Sequence, residues 1–224
     1  CSRRKGQLLH QKTVRWLILE IEVAATSIPG FDHSYARLGG LFSTPQKLDP
    51  VSDPTLIFWN RRFAEQLGWR GDPISDPQQL GALAGNQLLT DSQPIATVYA
   101  GHQFGQYNPQ LGDGRATLLG EWITPSEQRV DVQLKGAGPT PYSRGGDGRA
   151  PLGPVIREYV VSEAMAGLGV PTSRALAAVA PGEPVVRNRI EQGAILTRGA
   201  SSHLRVGTSQ FFAMTRGGEG LESL

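Results

Sequence analysis

Between Gly112 and Arg157 the chain sets two glycine-rich turns, GDGR and SRGGDGR, on either side of a short apolar strand, VDVQL, that ends in a single lysine, Lys135. No other stretch restricts the fold as much. Glycines let backbone N–H groups approach an anion closely, and a lysine at a strand end can neutralise the charge that arrives there. A helical run follows the second turn and carries Glu158 near its start, where a carboxylate can hold the lysine in place.

Each piece has a plain alternative when taken alone. GDG is a common hairpin turn, and this one departs both from G-x-G-x-x-G and from a Walker loop, which needs GK[ST] opening a helix. A lysine at a strand end can simply face solvent. The order of the pieces carries the argument. Turn, strand, Lys135, long loop and Glu158 is the layout of the phosphate site in the amino-terminal lobe of protein kinases. It predicts an α+β fold, a five-stranded antiparallel sheet with the helix of residues 154–169 packed on it. The expected strands include Ala116–Trp122, Val130–Leu134, Ala175–Val179 and Ala194–Thr197.

Composition narrows the class further. With 224 residues, 39% hydrophobic and 19% charged, the chain can bury a globular core. A net charge of +2 argues for neither a nucleic-acid nor a membrane partner. The single cysteine, Cys1, excludes an intrachain disulfide and a cysteine-based metal cluster. No apolar run reaches the roughly 18 residues a bilayer span requires. The expected location is the cytoplasm.

Residues 1–30 join a basic SRRKG to an apolar WLILEIEVAA that Glu20 and Glu22 interrupt, so the segment reads as an extension, helical or non-native, and not as a signal peptide. In the segment 31–95, Leu56, Trp59, Phe63 and Leu67 recur at helical spacing and predict a helix that Gly68 stops. A second short helix is predicted from Pro77 to Ala84. In 96–224 neither helix nor strand is expected between Lys135 and Pro154. The closing MTRGGEGLESL departs from the helix expected after FFA.

Among other candidate residues, His102 has no second His or Cys at ligand spacing and reads as a hydrogen-bonding group. Arg144, Arg149, Arg157, Arg198 and Arg205 interleave with glycine turns and with SSH. Arginine forks match phosphate oxygens, although charges of this kind also decorate solvent-facing surface.

Three long segments resemble the selenoprotein O family: YAGHQFGQYNPQLGDGRATLLGE, QLKGAGPTPYSRGGDGRAPLGPVIREY, and ILTR followed by ASSHLRVGT. The family comprises protein adenylyltransferases built on a protein-kinase fold, and the resemblance runs roughly from Phe31 to Phe212. It makes 31–95 a family-specific amino-terminal segment and 96–224 a nucleotide-binding lobe. It implies that ATP lies turned round relative to ordinary kinases, with Mg²⁺ or Mn²⁺, so that AMP passes to a Ser, Thr or Tyr hydroxyl of a protein.

Carried onto this sequence, the resemblance makes Gly112, Gly114 and Arg115 nucleotide contacts and Lys135 with Glu158 an ion pair. Asp147 and Gly148 touch the other end of the nucleotide, and Arg198 and Arg205 grip phosphates. Gly199 and Ser209 stand where larger apolar residues are expected. The family's catalytic aspartate and its metal-binding Asn and Asp find no match up to Leu224. They are expected beyond it, in a second lobe, so that this amino-terminal fragment holds no catalytic residue and no metal ligand. UMP transfer from UTP, a catalytically silent nucleotide-binding chain and phosphotransfer by a divergent kinase are the other readings.

Overall fold

The computed structural model describes residues 30–222 and 224, so the expected extension over 1–30 lies outside the described residues except for Gly30. Strand β1 (Gly30–Asp32), helix α1 (Ser34–Arg37) and strands β2 (Ser43–Pro45) and β3 (Thr55–Trp59) come first, followed by helices α2 (Arg61–Leu67) and α3 (Pro77–Leu83). Strands β4 (Ile95–Thr97), β5 (Gly101–Gln103), β6 (Gln106–Asn108), β7 (Ala116–Ile123) and β8 (Arg129–Lys135) lead to the long loop. Beyond it stand β9 (Ala150–Pro151), α4 (Leu152–Gly167), β10 (Arg174–Ala180), β11 (Pro184–Val186), β12 (Ile190–Ala200) and α5 (Val206–Glu222).

The sheet is antiparallel, as expected, but among the described residues it has ten strands and not five. Its path is β2-β4-β7-β8-β12-β10-β3, with β1 paired to β7 and both β9 and β11 paired to β12. The four strands expected from the sequence form the consecutive middle, β7-β8-β12-β10. The additional strands are mostly three residues long, too short to show a period of two, and they satisfy backbone groups that the sheet edges would leave open. Hairpin β5–β6 stands apart as a two-stranded sheet.

The helix expected around Leu56–Leu67 is half strand. TLIFW is rich in β-branched and aromatic residues and pairs with β10, while Asn60 turns the chain and its side chain accepts from the Phe63 N–H. Gly68, in a left-handed conformation, ends α2 as expected. Leu56, Trp59, Phe63 and Leu67 still meet in one core, which explains their helix-like spacing. The loop expected between Lys135 and Pro154 contains the short β9, and α4 begins two residues before Pro154. A further correction falls at the end of the chain. Despite its glycines, α5 continues to Glu222, anchored where Phe212 stacks on Phe42 at 4.1 Å.

Strand alternation separates two cores. On β12, Ile195 points into the cluster that holds Phe63 and Leu67 of α2 and Leu83 of α3. Its neighbours Ala194 and Leu196 point the other way, toward Val155 of α4. Small residues at Ala175, Ala178 and Ala194 line the sheet surface on which α4 lies. Register then fixes the site: Leu196 pairs with Lys135 and Arg198 with Gln133. Residues directly opposite share a face, so all four stand on the side that α4 covers.

Candidate functional site

At the end of β8, Lys135 meets α4. Its Nζ lies 2.5 Å from Glu158 Oε2, and Arg198 Nη1 lies 2.7 Å from the other oxygen of the same carboxylate. One glutamate therefore holds two cations. Arg198 is buried, and its Nε and Nη2 both donate to Gln133 Oε1. Burial, then the charge of Arg198, lowers the Lys135 pKa from the ordinary lysine value. Burial acts to raise the Glu158 pKa, but Arg198 and Lys135 together hold it below the ordinary value.

The network extends to the first glycine turn. Gln133 Nε2 donates to Asp113 Oδ2 at 3.3 Å, and that buried carboxylate also accepts from Thr97 Oγ1 and from Tyr99 OH. Burial and the Asp113 charge push the Tyr99 phenol up to about 12, so it stays a donor. Arg205, at the start of α5, places its guanidinium 4.9 Å from the Tyr99 ring centre and 3.9 Å from Asp113 Oδ1. Gly112 has φ +64, and a Cβ there would collide with the Tyr142 ring, so the turn and the long loop pack as only glycine allows.

The long loop closes the other wall. Ser143 Oγ donates to Gly114 O, and Thr140 Oγ1 donates to Asp113 O. Asp147 forms a fork-to-fork pair with Arg187 at 2.8 and 2.9 Å, and this hydrogen bonding holds its carboxyl below the usual range. Arg149 Nη2 lies 2.7 Å from Asp49 Oδ2. These walls enclose an open cleft of about 710 Å³.

All the residues expected to touch the nucleotide line this one cleft: Gly112, Gly114, Arg115, Lys135, Asp147, Gly148, Arg198 and Arg205. Glu158 stands behind Lys135. His102 lines it as well, and its ring lies 5.1 Å from that of Tyr107. Sequence reading missed three participants: Asp113, Gln133 and Arg187. Asp113 sits inside the GDG turn, where only its burial reveals that it organises the hydrogen bonds. Gln133 could have been found from the strand, two residues before Lys135 and so on the same face. Arg187, at the tip of β11–β12, gives no local signal.

Six arginines and one lysine line the cleft against two aspartates, a surplus that suits an anion carrying several charges. Among the described residues no group of three or more His, Cys, Asp or Glu side chains is placed to hold a metal ion. Fold and site together define a cationic cleft where the central strands β8 and β12 of an antiparallel sheet meet helix α4. Comparison with known proteins gives this class a family. The family model described as "Protein adenylyltransferase SelO" matches residues 29–224, and the chain belongs to that family.

Relatives carrying the name "Protein nucleotidyltransferase YdiU" support the assignment. The one from Methylorubrum populi is 54% identical over 199 residues, covering 89% of this chain and 40% of the relative. The one from Ruegeria pomeroyi is 59% identical over 183 residues, covering 82% and 38%. This chain thus spans about 40% of the length of the curated relatives it matches.

Proposed function

We propose that this chain is the nucleotide-binding half of a protein adenylyltransferase with a kinase-like amino-terminal lobe. The observation that carries the reading is the shared Glu158: it fixes Lys135 and Arg198 side by side at the floor of a cationic cleft, behind a glycine turn. In the proposed reaction a Ser, Thr or Tyr hydroxyl oxygen bonds to the α-phosphorus of ATP. The bond from that phosphorus to the bridging oxygen breaks, pyrophosphate leaves, and the hydroxyl proton passes to a base. Lys135, Arg115, Arg198 and Arg205 hold and neutralise the polyphosphate in this scheme, while Gly112, Gly114, Asp147 and Gly148 shape its bed.

In this scheme neither the base nor a metal seat comes from the cleft. Asp113 is taken up by Thr97, Tyr99 and Gln133, and Asp147 by Arg187. The donor set of the described residues does not fit Mg²⁺ or Mn²⁺. We place the base and any metal ligands in sequence outside this stretch, since the relatives are much longer. The engaged carboxylates also favour a second reading, that this chain on its own binds nucleotide without turning it over. We assign the work to the cytoplasm. Among the described residues, no helix is long and apolar enough to cross a membrane.

Labelled nucleotides test the reading in the full-length protein that contains this sequence. Incorporation of label from [α-³²P]ATP into a protein acceptor is the expected result. Incorporation from [γ-³²P]ATP alone would establish phosphotransfer, and preference for [α-³²P]UTP would make the donor UTP.

A further inference from the structure

Of the seven cations that line the cleft, five already face a carboxylate. Lys135 and Arg198 share Glu158, Arg149 meets Asp49, Arg187 meets Asp147, and Arg205 approaches Asp113. Arg115 and Arg144 face none among the described residues. Lys135 and Arg198 with their one glutamate amount to a single net positive charge. One uncompensated charge thus stays at the floor, and two more lie on the exposed Arg115 and Arg144.

A side-chain hydrogen bond joins the two turns that carry these residues. Arg115 follows Gly114 and Arg144 follows Ser143, and Ser143 Oγ donates to Gly114 O. Ser143 is itself fixed, because its Oγ accepts from the Thr140 N–H and its carbonyl accepts from the Gly146 N–H. Arg144 adopts φ +51, a left-handed conformation that glycine takes more easily, between Ser143 and the glycines Gly145 and Gly146. No hydrogen bond of its side chain within the described residues accounts for an arginine there. The residue is exposed, so its guanidinium fork is open to a ligand from solvent.

We propose that Arg144 is a ligand for the pyrophosphate portion of a bound nucleoside triphosphate, a specificity-determining residue for the polyphosphate. The assignment rests on the nucleotide reading above and adds a residue to it. When the α-phosphorus changes partner, the departing pyrophosphate gains negative charge. A guanidinium that meets no carboxylate among the described residues gives that charge its full attraction, and its planar fork matches two phosphate oxygens. The cations deeper in the cleft share carboxylates and are less able to answer the same change.

The test is equilibrium binding to the full chain, with ATP, inorganic pyrophosphate and AMP as probes, for the wild type, Arg144→Ala and Arg144→Lys. A charge-assisted contact corresponds to roughly a tenfold or greater affinity change. Arg144→Ala should weaken ATP and pyrophosphate by about tenfold or more and leave AMP within about twofold. Arg144→Lys, keeping the charge without the fork, should fall between. Unchanged thermal melts would show that the loop still folds. Equal weakening of all three probes would overturn the proposal, because Arg144 would then be supporting the loop and not reading the polyphosphate. Unchanged ATP and pyrophosphate binding by Arg144→Ala would overturn it too, and would leave the nucleotide reading intact. If the wild type binds neither ATP nor pyrophosphate, the nucleotide reading and this assignment fall together.

Discussion

Lys135 Nζ sits 2.5 Å from Glu158 Oε2 while the second oxygen of Glu158 accepts from Arg198, so each cation is held by a carboxylate that is already occupied on its other side. Removing the glutamate leaves two partly buried positive charges with one neutral glutamine between sheet and helix. Glu158→Ala should therefore cost about 2 kcal/mol of stability, less than for a fully buried pair because all three side chains retain some solvent contact. Urea denaturation of the wild type and the variant measures it.

The same carboxylate makes stability depend on acid. Glu158 titrates below its ordinary 4.5 in the folded chain. A depressed carboxyl stabilises the folded state above its unfolded pKa and loses that contribution as pH falls through the lower, folded value. The stability advantage of the wild type over Glu158→Gln should hold at neutral pH and shrink as the solution is acidified below about 4.5. Melting temperatures across that window would show it, and an advantage that grew in acid would contradict the sign.

Gly148 is a second sensitive point. It has φ +65, and an added Cβ would run into the carbonyl of Gly138, which is backbone and cannot swing aside. Gly148→Ala should cost about 2–4 kcal/mol and loosen the loop that carries Asp147. Thermal melting measures the first effect. Faster amide hydrogen exchange over residues 136–149 measures the second.

Activity gives the third handle. In the full-length protein, Lys135→Ala should reduce label transfer from [α-³²P]ATP by about 100-fold, as expected when one preorganised charge at the reacting phosphate is lost. Glu158→Gln should lose less, because Lys135 remains present though poorly aimed. A variant that kept wild-type rates without Lys135 would remove it from the phosphate site.

Much of this site could be read from the chain because its parts are local. The glycine turn, the strand ending in Lys135 and the helix bearing Glu158 each declare themselves within about ten residues, and the order of the elements brings them together. What escaped reading depends on pairing across the sheet. Arg187 reaches Asp147 only because β11 folds back on β12, a register that three residues of PVV do not announce. Thr55–Trp59 carries a spacing compatible with helix, and only its partner β10 decides for strand. The last helix runs through glycines that disfavour it locally, and tertiary contacts such as Phe212 on Phe42 overrule that preference.

Because Lys135 and Arg198 lie on neighbouring strands in fixed register, folding acts as a proofreader of the site. A slip of one residue in β8 would send Lys135 toward the apolar core around Ile195 and turn Leu134 toward α4. A slip in β12 would do the same to Arg198 and Thr197. Either misalignment would strand a charge among aliphatic side chains, so a chain that pairs wrongly would be too unstable to accumulate. A molecule that has folded at all has, by that fact, assembled its cationic floor.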